Sequence, residues 1–342
     1  MLRFISGRNV QTKETLLAIE GLKVSFETSE GVVHAVNDVS LTIQRGEIVG
    51  LVGESGCGKS VTALSILRLL PIPPARIEQG TIRFKGTNLL ELSEHEMRTL
   101  RGRAISMVFQ DPMTSLNPVF KIGFQLREMI QTHFPEVDRT TADKRAVELL
   151  KLVRIPSPES RMVAYPHELS GGLRQRVMIA MALACDPELM IADEPTTALD
   201  VTIQAQILDL IQELQERLGM SVLLITHDLG IVAQTTQRVV VMYAGKVVET
   251  ADTARIFKSP LHPYTQGLLR SLPGRYVEIE GKQPLPSIPG MVPPLIALPV
   301  GCAFEDRCDQ AFEKCRWAMP PLVSRNGGGH LVRCWHYAKG GT

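Results

Sequence analysis

The chain has 342 residues, of which 44% are hydrophobic and 21% charged, and its formal net charge is +1. This balance is typical of a folded globular protein, and the near-zero charge gives no electrostatic argument for nucleic acid as a partner. The length suggests two domains, or one domain with an appendage. No stretch approaches about 18 uninterrupted apolar residues, and the polar N-terminus lacks a signal-peptide block. We therefore expect a cytosolic protein whose six cysteines are reduced.

Four short strands are predicted near the N-terminus, at residues 17–26, 32–36, 39–43 and 47–53. Turn signals at residues 29–31 and 45–46 separate them. The fourth strand ends at Gly53, and a helical pattern follows at residues 60–70.

The middle of the chain alternates between strands and helices. Strands are predicted at residues 80–86, 104–110, 188–193 and 221–226. Helical patterns cover residues 94–100, 123–166, 173–185 and 203–219. Such alternation predicts a mostly parallel α/β sheet.

Residues 53–60, with the sequence GESGCGKS, match the G-x4-G-K-[ST] spacing in full. The glycines let backbone N–H groups surround phosphate oxygens, Lys59 brings a positive charge to the β- and γ-phosphates, and the Ser60 hydroxyl can ligate Mg²⁺. A chance glycine turn is the alternative, but the strand before the loop and the helix after it argue against that. The pattern predicts a phosphate-binding loop and an ATP hydrolase.

Acidic and imidazole groups follow two of the later strands. Asp193 suits Mg²⁺ binding and Glu194 could polarise the attacking water, although an Asp-Glu pair alone is as typical of a solvated strand end. His227 follows the strand at residues 221–226, where a structural histidine is the usual alternative. Their shared sheet edge would bring all three near a γ-phosphate.

Residues 169–176, LSGGLRQR, resemble the signature of the ABC-transporter ATPases. A Ser-Gly-Gly turn that opens a helix is a second anion site, with free N–H groups, a hydroxyl and a helix dipole. The resemblance implies that Ser170, Gly171 and Gly172 complete the nucleotide pocket of a facing subunit, so that ATP is held between two chains.

Other segments match that family in order. Gln110 resembles its glutamine that senses Mg²⁺ and connects to membrane subunits, residues 198–200 resemble the loop that contacts the partner ATPase, and His227 resembles its switch histidine. Phe26 falls where the family places an aromatic on adenine; a core aromatic is the alternative, and His34 is an alternative neighbour. The predicted catalytic residues are Glu194, His227 and Gln110, and the predicted Mg²⁺ ligands are Ser60, Gln110 and Asp193. The residues predicted to bind the nucleotide are Phe26, Gly53, Glu54, Ser55, Gly56, Cys57, Gly58, Lys59, Ser60, Val61, Gln110, Ser170, Gly171, Gly172 and Asp193.

Residues 109–118, 165–167 and 262–264 resemble the oligopeptide and dipeptide importer ATPases, and nickel and glutathione importers have similar subunits. The resemblance implies a RecA-like phosphate-loop NTPase core with a mostly parallel sheet, an antiparallel β subdomain and an inserted helical subdomain at about residues 112–180. It divides the chain into an ATPase domain, residues 15–257, and a C-terminal extension, residues 258–342. The implied partners are a second, homologous ATPase, two permease subunits and a solute-binding protein, at the cytoplasmic face of the inner membrane.

The last segment carries Cys302, Cys308, Cys315 and Cys334 after a proline-rich stretch at residues 283–300. We expect a small irregular appendage with little apolar core, which needs a metal centre or a cross-link to stabilise it. Four thiolates suit a [4Fe–4S] cluster or tetrahedral Zn²⁺. Some peptide-importer ATPases carry an iron–sulfur cluster in a tail of this GC-x-F-x2-RC kind, so the resemblance favours the cluster over zinc or no metal.

Further cysteines, histidines and methionines have simpler interpretations. His330 and His336 could replace a thiolate ligand, although exposed loop histidines are the stronger alternative. Cys185, Met178 and Met181 on the helix at residues 173–185 are predicted to lie in the core.

Two further classes of function remain open. A soluble ABC ATPase acting on DNA needs a long coiled coil between the two motifs, but Ser60 and Ser170 are only 110 residues apart, and ribosomal relatives usually carry two cassettes. A redox sensor would use the cysteine tail as its functional site.

Overall fold

The computed structural model describes residues 14–111, 115–197, 199–272, 287–325 and 329–338. Its strands are β1 (Thr15–Thr28), β2 (Gly31–Gln44), β3 (Ile48–Val52), β4 (Ala75–Phe84), β5 (Thr87–Asn88), β6 (Ile105–Val108), β7 (Leu189–Asp193), β8 (Ser221–Thr226), β9 (Arg238–Tyr243), β10 (Lys246–Asp252), β11 (Val323–Arg325) and β12 (His330–Val332). Its helices are α1 (Lys59–Ile66), α2 (Glu94–Leu100), α3 (Ile122–His133), α4 (Arg139–Leu152), α5 (Pro158–Arg161), α6 (Gly171–Ala182), α7 (Val201–Leu218), α8 (Leu229–Thr235), α9 (Thr253–Lys258), α10 (Pro263–Arg270) and α11 (Glu313–Trp317), with 3₁₀ turns at Pro166–Glu168 and Glu305–Arg307.

The larger sheet has the strand order β11-β12-β10-β9-β3-β8-β7-β6. The strands from β9 to β6 run parallel to one another, and β10, β12 and β11 add antiparallel pairs at the other end. Every residue of β3, β7 and β8 is buried, because α6 and α7 cover one face of the sheet and α1 with β1, β2 and β4 covers the other. The predicted parallel α/β core is confirmed.

The smaller sheet is antiparallel, with the order β2-β1-β4-β5. The sequence predicted two strands at residues 32–36 and 39–43, but the structure has the single strand β2, so that prediction is wrong. Asp38 adopts φ +66 within the strand, and pairing with β1 resumes on both sides of it. Asn37 and Asp38, the two residues that divided the predicted strands, therefore lie within one strand.

Helices α3 to α6 lie between β6 and β7 in the chain, and α3, α4 and α6 share one apolar core with α7 and the sheet. Met178 and Cys185 are buried in this core and Met181 is partly buried against it, as predicted. However, α6 ends at Ala182, so Cys185 follows the helix instead of lying on it. Burial raises the pKa of the Cys185 thiol to about 11.

The described part of the C-terminal extension is largely without regular secondary structure, for example at residues 287–300, but the sequence did not predict the short elements within it. It contains α10, α11 and a hairpin of β11 and β12 that pairs with β10. Tyr264, Leu269 and Phe304 pack into one buried cluster with β9 and β10. These elements have only three to eight residues, too few for a visible periodicity. Residues 283–286 of the proline-rich stretch lie outside the described residues.

No helix within the described ranges is at once long and apolar enough to cross a membrane.

Candidate nucleotide site

The predicted site residues follow strands that are neighbours in the larger sheet. The phosphate loop follows β3, His227 follows β8, Glu194 follows β7, and Gln110 lies two residues beyond β6. These four strands are parallel, so their carboxyl ends meet at one edge of the sheet. Ligands of open α/β sheets bind at this edge.

Two glycines, Gly53 and Gly58, let the phosphate loop lie close to neighbouring backbone atoms. A Cβ on Gly53, where φ is +156, would lie 2.2 Å from the Met242 carbonyl oxygen. A Cβ on Gly58, where φ is +101, would lie 2.3 Å from the Ala35 carbonyl oxygen. Both contacts are with backbone atoms, so only glycine fits, and α1 starts directly after the loop with its N-terminal N–H groups free for an anion.

Lys59 lies inside the phosphate loop. Its Nζ donates hydrogen bonds to the carbonyl oxygens of Gly53, at 2.8 Å, and Glu54, at 3.1 Å. Cys57 belongs to the same loop, but its side chain is buried in the core, and burial raises the pKa of its thiol. A neutral thiol adds no negative charge, so cysteine at this position is compatible with phosphate binding.

Asp193 and Ser60 form the part of the site that suits Mg²⁺. Burial raises the pKa of the Asp193 carboxyl against the opposing effect of the nearby Ser60 hydroxyl. Asp193 Oδ1 is buried and, within the described part of the chain, has no hydrogen-bond partner. A buried carboxylate oxygen without a partner costs folding free energy, so this oxygen is well suited to bind a hard cation. The residues present therefore fit the predicted metal.

Three polar side chains surround the Glu194 carboxylate. Gln110 Nε2 and Thr197 Oγ1 each lie 2.9 Å from Oε2, and His227 Nδ1 lies 3.4 Å from Oε1. Glu194 itself has φ +46, an uncommon conformation for a residue other than glycine. The structure thus brings together Gln110, Glu194 and His227, and it adds Thr197, which no motif in the sequence indicated.

The signature segment lies at the start of α6. The Ser170 hydroxyl caps the helix by accepting a hydrogen bond from Leu173 N. A Cβ on Gly172 would lie 2.7 Å from Ile203 Cγ2, so this glycine lets α6 approach α7 closely. Ser170 and Gly171 are exposed. Ala198 of the predicted partner loop and residues 112–114 of the importer motif lie outside the described residues.

Phe26 is partly buried against the core formed by β1, β2 and α1, and its Cα lies opposite Val33. The neighbouring Ala35 packs on Gly58, which brings this hairpin close to the phosphate loop. His34 is exposed, and its backbone N–H donates to the Leu295 carbonyl at 3.1 Å. Contact of Phe26 with adenine stays a prediction.

The C-terminal extension touches the phosphate loop at Glu54. The Glu54 backbone N–H donates to Tyr264 Oη at 2.9 Å, and Arg307 Nη1 donates to both carboxylate oxygens at 3.0 and 3.1 Å. Sequence reasoning missed this contact, although it had singled out both the segment of Tyr264 and the GC-x-F-x2-RC segment of Arg307 as family markers.

The predicted metal centre of the tail is not confirmed. The thiols of Cys302, Cys308 and Cys334 lie near enough to other tail cysteines to raise one another's pKa, but burial is the larger effect and raises the pKa of Cys302 to about 12 and of Cys334 to about 11. Yet nowhere in the described ranges do three or more His, Cys, Asp or Glu side chains form an arrangement that could hold a metal ion.

Neither tail histidine supports the prediction of a substitute ligand. His330 is buried, and its Nε2 lies 2.8 Å from Glu249 Oε1, so the exposed-loop alternative is also wrong for it. His336 is exposed and its Nε2 bonds to the Gln310 carbonyl.

The site combines a glycine-rich loop before a helix, the buried Asp193 near the Ser60 hydroxyl, and Glu194 in contact with three polar side chains. These features define a phosphate-loop nucleotide hydrolase. Comparison with known families makes this specific. Residues 36–197 match the family model described as ABC transporter, and residues 248–315 match the oligopeptide/dipeptide transporter C-terminal region.

Individual proteins agree with the family models. The chain is 55% identical to a probable peptide ABC transporter ATP-binding protein of Sinorhizobium fredii, over 94% of this chain and 95% of that one. It is 50% identical to an oligopeptide transport ATP-binding protein of Bacillus subtilis, over 94% of this chain and 88% of that one. A dimeric ATP-binding cassette solved with ADP and Pi has a TM-score of 0.62 at 27% identity, over 69% of this chain and 98% of that one. The chain belongs to the ABC transporter family and is one of its ATPases.

Proposed function

We propose that this chain is the ATP-hydrolysing subunit that powers import of di- and oligopeptides through a membrane ABC transporter. The observation that carries the proposal is the pairing of a nucleotide site with a C-terminal region of the oligopeptide/dipeptide type. Relatives named for peptide import match 94% of the chain. We also propose two parts: an ATPase domain, residues 15–257, and an extension, residues 258–342.

The chemistry we assign is hydrolysis of the γ-phosphate. The phosphate loop and Lys59 hold the phosphates, while Ser60, Asp193 and Gln110 would hold Mg²⁺, which neutralises charge on the phosphate oxygens. Glu194 orients and deprotonates the attacking water, because Gln110 and Thr197 fix one of its oxygens and leave the other beside His227. Phe26 stacks on the base.

The nucleotide is held between two ATPase chains in this proposal. Support comes from the exposed Ser170 and Gly171 at the start of α6, where a helix N-terminus faces solvent. The solved cassette with similar fold is dimeric. We propose that the facing chain is a homologous ATPase and that its signature segment completes the site.

A groove beside Gln110 provides a surface for the permease subunits. It has a volume of about 240 Å³ and is mainly apolar. Its lining includes Leu67, Leu69, Met107, Phe109, Met129 and Met178. Phe109 and Leu69 are both partly exposed, and Phe109 directly precedes Gln110. An apolar groove of this kind accepts a short amphipathic helix, so we propose that a cytoplasmic helix of a permease binds here and places the chain at the inner face of the membrane.

The metal role of the four tail cysteines stays a separate proposal, with a [4Fe–4S] cluster as the favoured occupant and Zn²⁺ as the alternative. Its support is the soft donor set and the mutual electrostatic effect of the thiols. Binding requires the side chains to rearrange, since no ligand set is assembled in the described residues. Metal analysis of anaerobically purified protein decides it: iron with visible absorbance supports the cluster, and metal-free protein removes it.

The test of the transport proposal is uptake in proteoliposomes. This chain would be assembled with the permeases and the second ATPase encoded beside its gene, and a labelled tripeptide supplied with the matching solute-binding protein. ATP-dependent uptake that is lost in Lys59→Ala supports the proposal. Uptake of nickel or glutathione without peptide uptake would assign the chain to another importer class. Proteoliposomes that hydrolyse ATP but take up none of these solutes would contradict the transport role.

A further inference from the structure

We propose that the C-terminal extension positions the phosphate loop through Arg307 and Tyr264, which act on Glu54 and so set the affinity of the site for nucleoside triphosphate. Neither residue touches the nucleotide in this proposal; both act through the loop. The inference rests on the nucleotide site proposed above.

Arg307 holds the Glu54 side chain from within the extension. The two oxygens of Glu54 lie 3.0 and 3.1 Å from Nη1, and the Arg307 side chain is only 6% exposed. The guanidinium is fixed on its other sides, since Nη1 also lies 3.2 Å from Tyr243 Oη and Nε donates to the Pro289 carbonyl at 2.9 Å. A cation held by several partners in a dry position fixes the position of its carboxylate.

Tyr264 holds the backbone of the same residue. Its Oη accepts the hydrogen bond from Glu54 N at 2.9 Å, and its ring is fully buried. The ring packs against Tyr243 and Phe304, with centroids 4.7 and 5.4 Å away. The hydroxyl therefore sits on a rigid aromatic support, and the peptide before Glu54 has one orientation.

Glu54 passes this restraint to the catalytic part of the loop. Its carbonyl oxygen accepts from Lys59 Nζ at 3.1 Å and from Cys57 N at 3.3 Å. Arg307 and Lys59 are thus separated by a single residue, although they lie far apart in the chain. A change in the orientation of Glu54 must change what surrounds the lysine ammonium.

The charge of Glu54 gives the arrangement a second consequence. A carboxylate inside a phosphate loop repels a triphosphate, and Arg307 neutralises it at contact distance. Removing the arginine alone leaves a half-buried anion beside the phosphates and also frees the loop. Removing both charges together should restore most of the affinity, an outcome that a purely structural role of Arg307 does not predict.

The experiment measures binding of a fluorescent, non-hydrolysable ATP analogue to the full-length chain, with thermal melting alongside. Variants are Arg307→Gln, Glu54→Gln, the double variant and Tyr264→Phe, which keeps the buried ring. Arg316→Gln is the matched control, because Arg316 pairs with Glu305 on the same segment but is 67% exposed. We expect Arg307→Gln to raise the Kd by roughly tenfold, the effect of about one lost charge-assisted contact. The double variant should recover most of this, and the control should match the wild type.

An unchanged Kd in a folded Arg307→Gln variant overturns the proposal. If Arg307→Gln melts without cooperativity and is therefore unfolded, the other two variants decide. The proposal is overturned if Tyr264→Phe binds the analogue like the wild type and the double variant does not recover the wild-type affinity. A wild-type chain that does not bind the analogue removes the nucleotide site itself, whereas a wild type that binds alongside unaffected variants removes only this inference.

Discussion

Gln110 Nε2 donates a hydrogen bond of 2.9 Å to Glu194 Oε2, and this bond joins the segment after β6 to the end of β7. Phe109, the residue before Gln110, lines the apolar groove. Gln110 therefore connects the proposed permease surface to Glu194, the proposed catalytic base. A movement of the groove wall would therefore reach the proposed catalytic carboxylate through Gln110 alone.

Replacement of Glu194 by Gln tests the base. The amide keeps the size and the contact with Gln110 but cannot accept a proton, so turnover should fall by on the order of 10²-fold or more while ATP affinity is kept. Phosphate release and equilibrium binding measure the two effects. Glu188→Gln at the other end of β7 is the control, since Glu188 pairs with Arg45 and Lys85. Undiminished steady-state hydrolysis would remove Glu194 from this role.

The signature segment can be tested by dimer formation. In a Glu194→Gln background, ATP should convert this chain and its partner ATPase into a closed dimer that is visible by size-exclusion chromatography. Ser170→Glu should abolish this dimer, because a carboxylate would meet the γ-phosphate of the facing site, whereas ATP binding to the single chain should persist. Ser160→Glu, at another exposed serine, serves as the control. A dimer that tolerates Ser170→Glu is incompatible with a shared site.

The apolar groove predicts a separation of transport from nucleotide binding. Leu69→Glu should prevent copurification with the permease subunits, because a charged group would replace apolar contact, but should leave binding of the ATP analogue unchanged. Leu218→Glu is a matched control: Leu69 is 41% exposed and Leu218 is 40% exposed, but Leu218 ends α7, outside the groove. Normal copurification of Leu69→Glu would place the permease contact elsewhere.

His262 predicts a loss of stability in mild acid. Burial lowers its pKa to about 4, against the opposing attraction of Glu249, while its Nδ1 accepts the N-terminal hydrogen bond of α10 from Tyr264 N. Between its ordinary pKa of about 6.5 and its folded value the unfolded chain binds the extra proton, so the free energy of unfolding falls as the pH falls through that window. Between pH 7 and pH 5 the loss should be about 2 kcal/mol.

His262→Asn isolates this effect, because asparagine can cap the helix but does not titrate. Urea denaturation at pH 7 and pH 5 should show a smaller acid loss in the variant than in the wild type. Equal losses would show that another group is responsible.

The sequence predicted which residues lie together at the sheet edge, because each motif follows a strand of a parallel sheet and topology alone brings those strand ends together. Lys59, Asp193 and Glu194 needed no further information. The contact of Arg307 with Glu54 could not be predicted in this way, since 253 residues separate the two and neither belongs to a periodic pattern. Asp38 shows the opposite error, because two strands were predicted on either side of it, whereas the structure has one strand whose pairing with β1 continues on both sides.

The hairpin of β11 and β12 also closes off one border of the larger sheet. Glu249 and Thr250 of β10 face Val332 and Leu331, and Arg333 N donates to the Val248 carbonyl at 2.8 Å. A shortened chain that stops at residue 257 would retain every nucleotide motif, but β10 would then carry a row of unpaired N–H and C=O groups. Such a row is a template for strands of other copies, so the tail also protects the ATPase from self-association and aggregation.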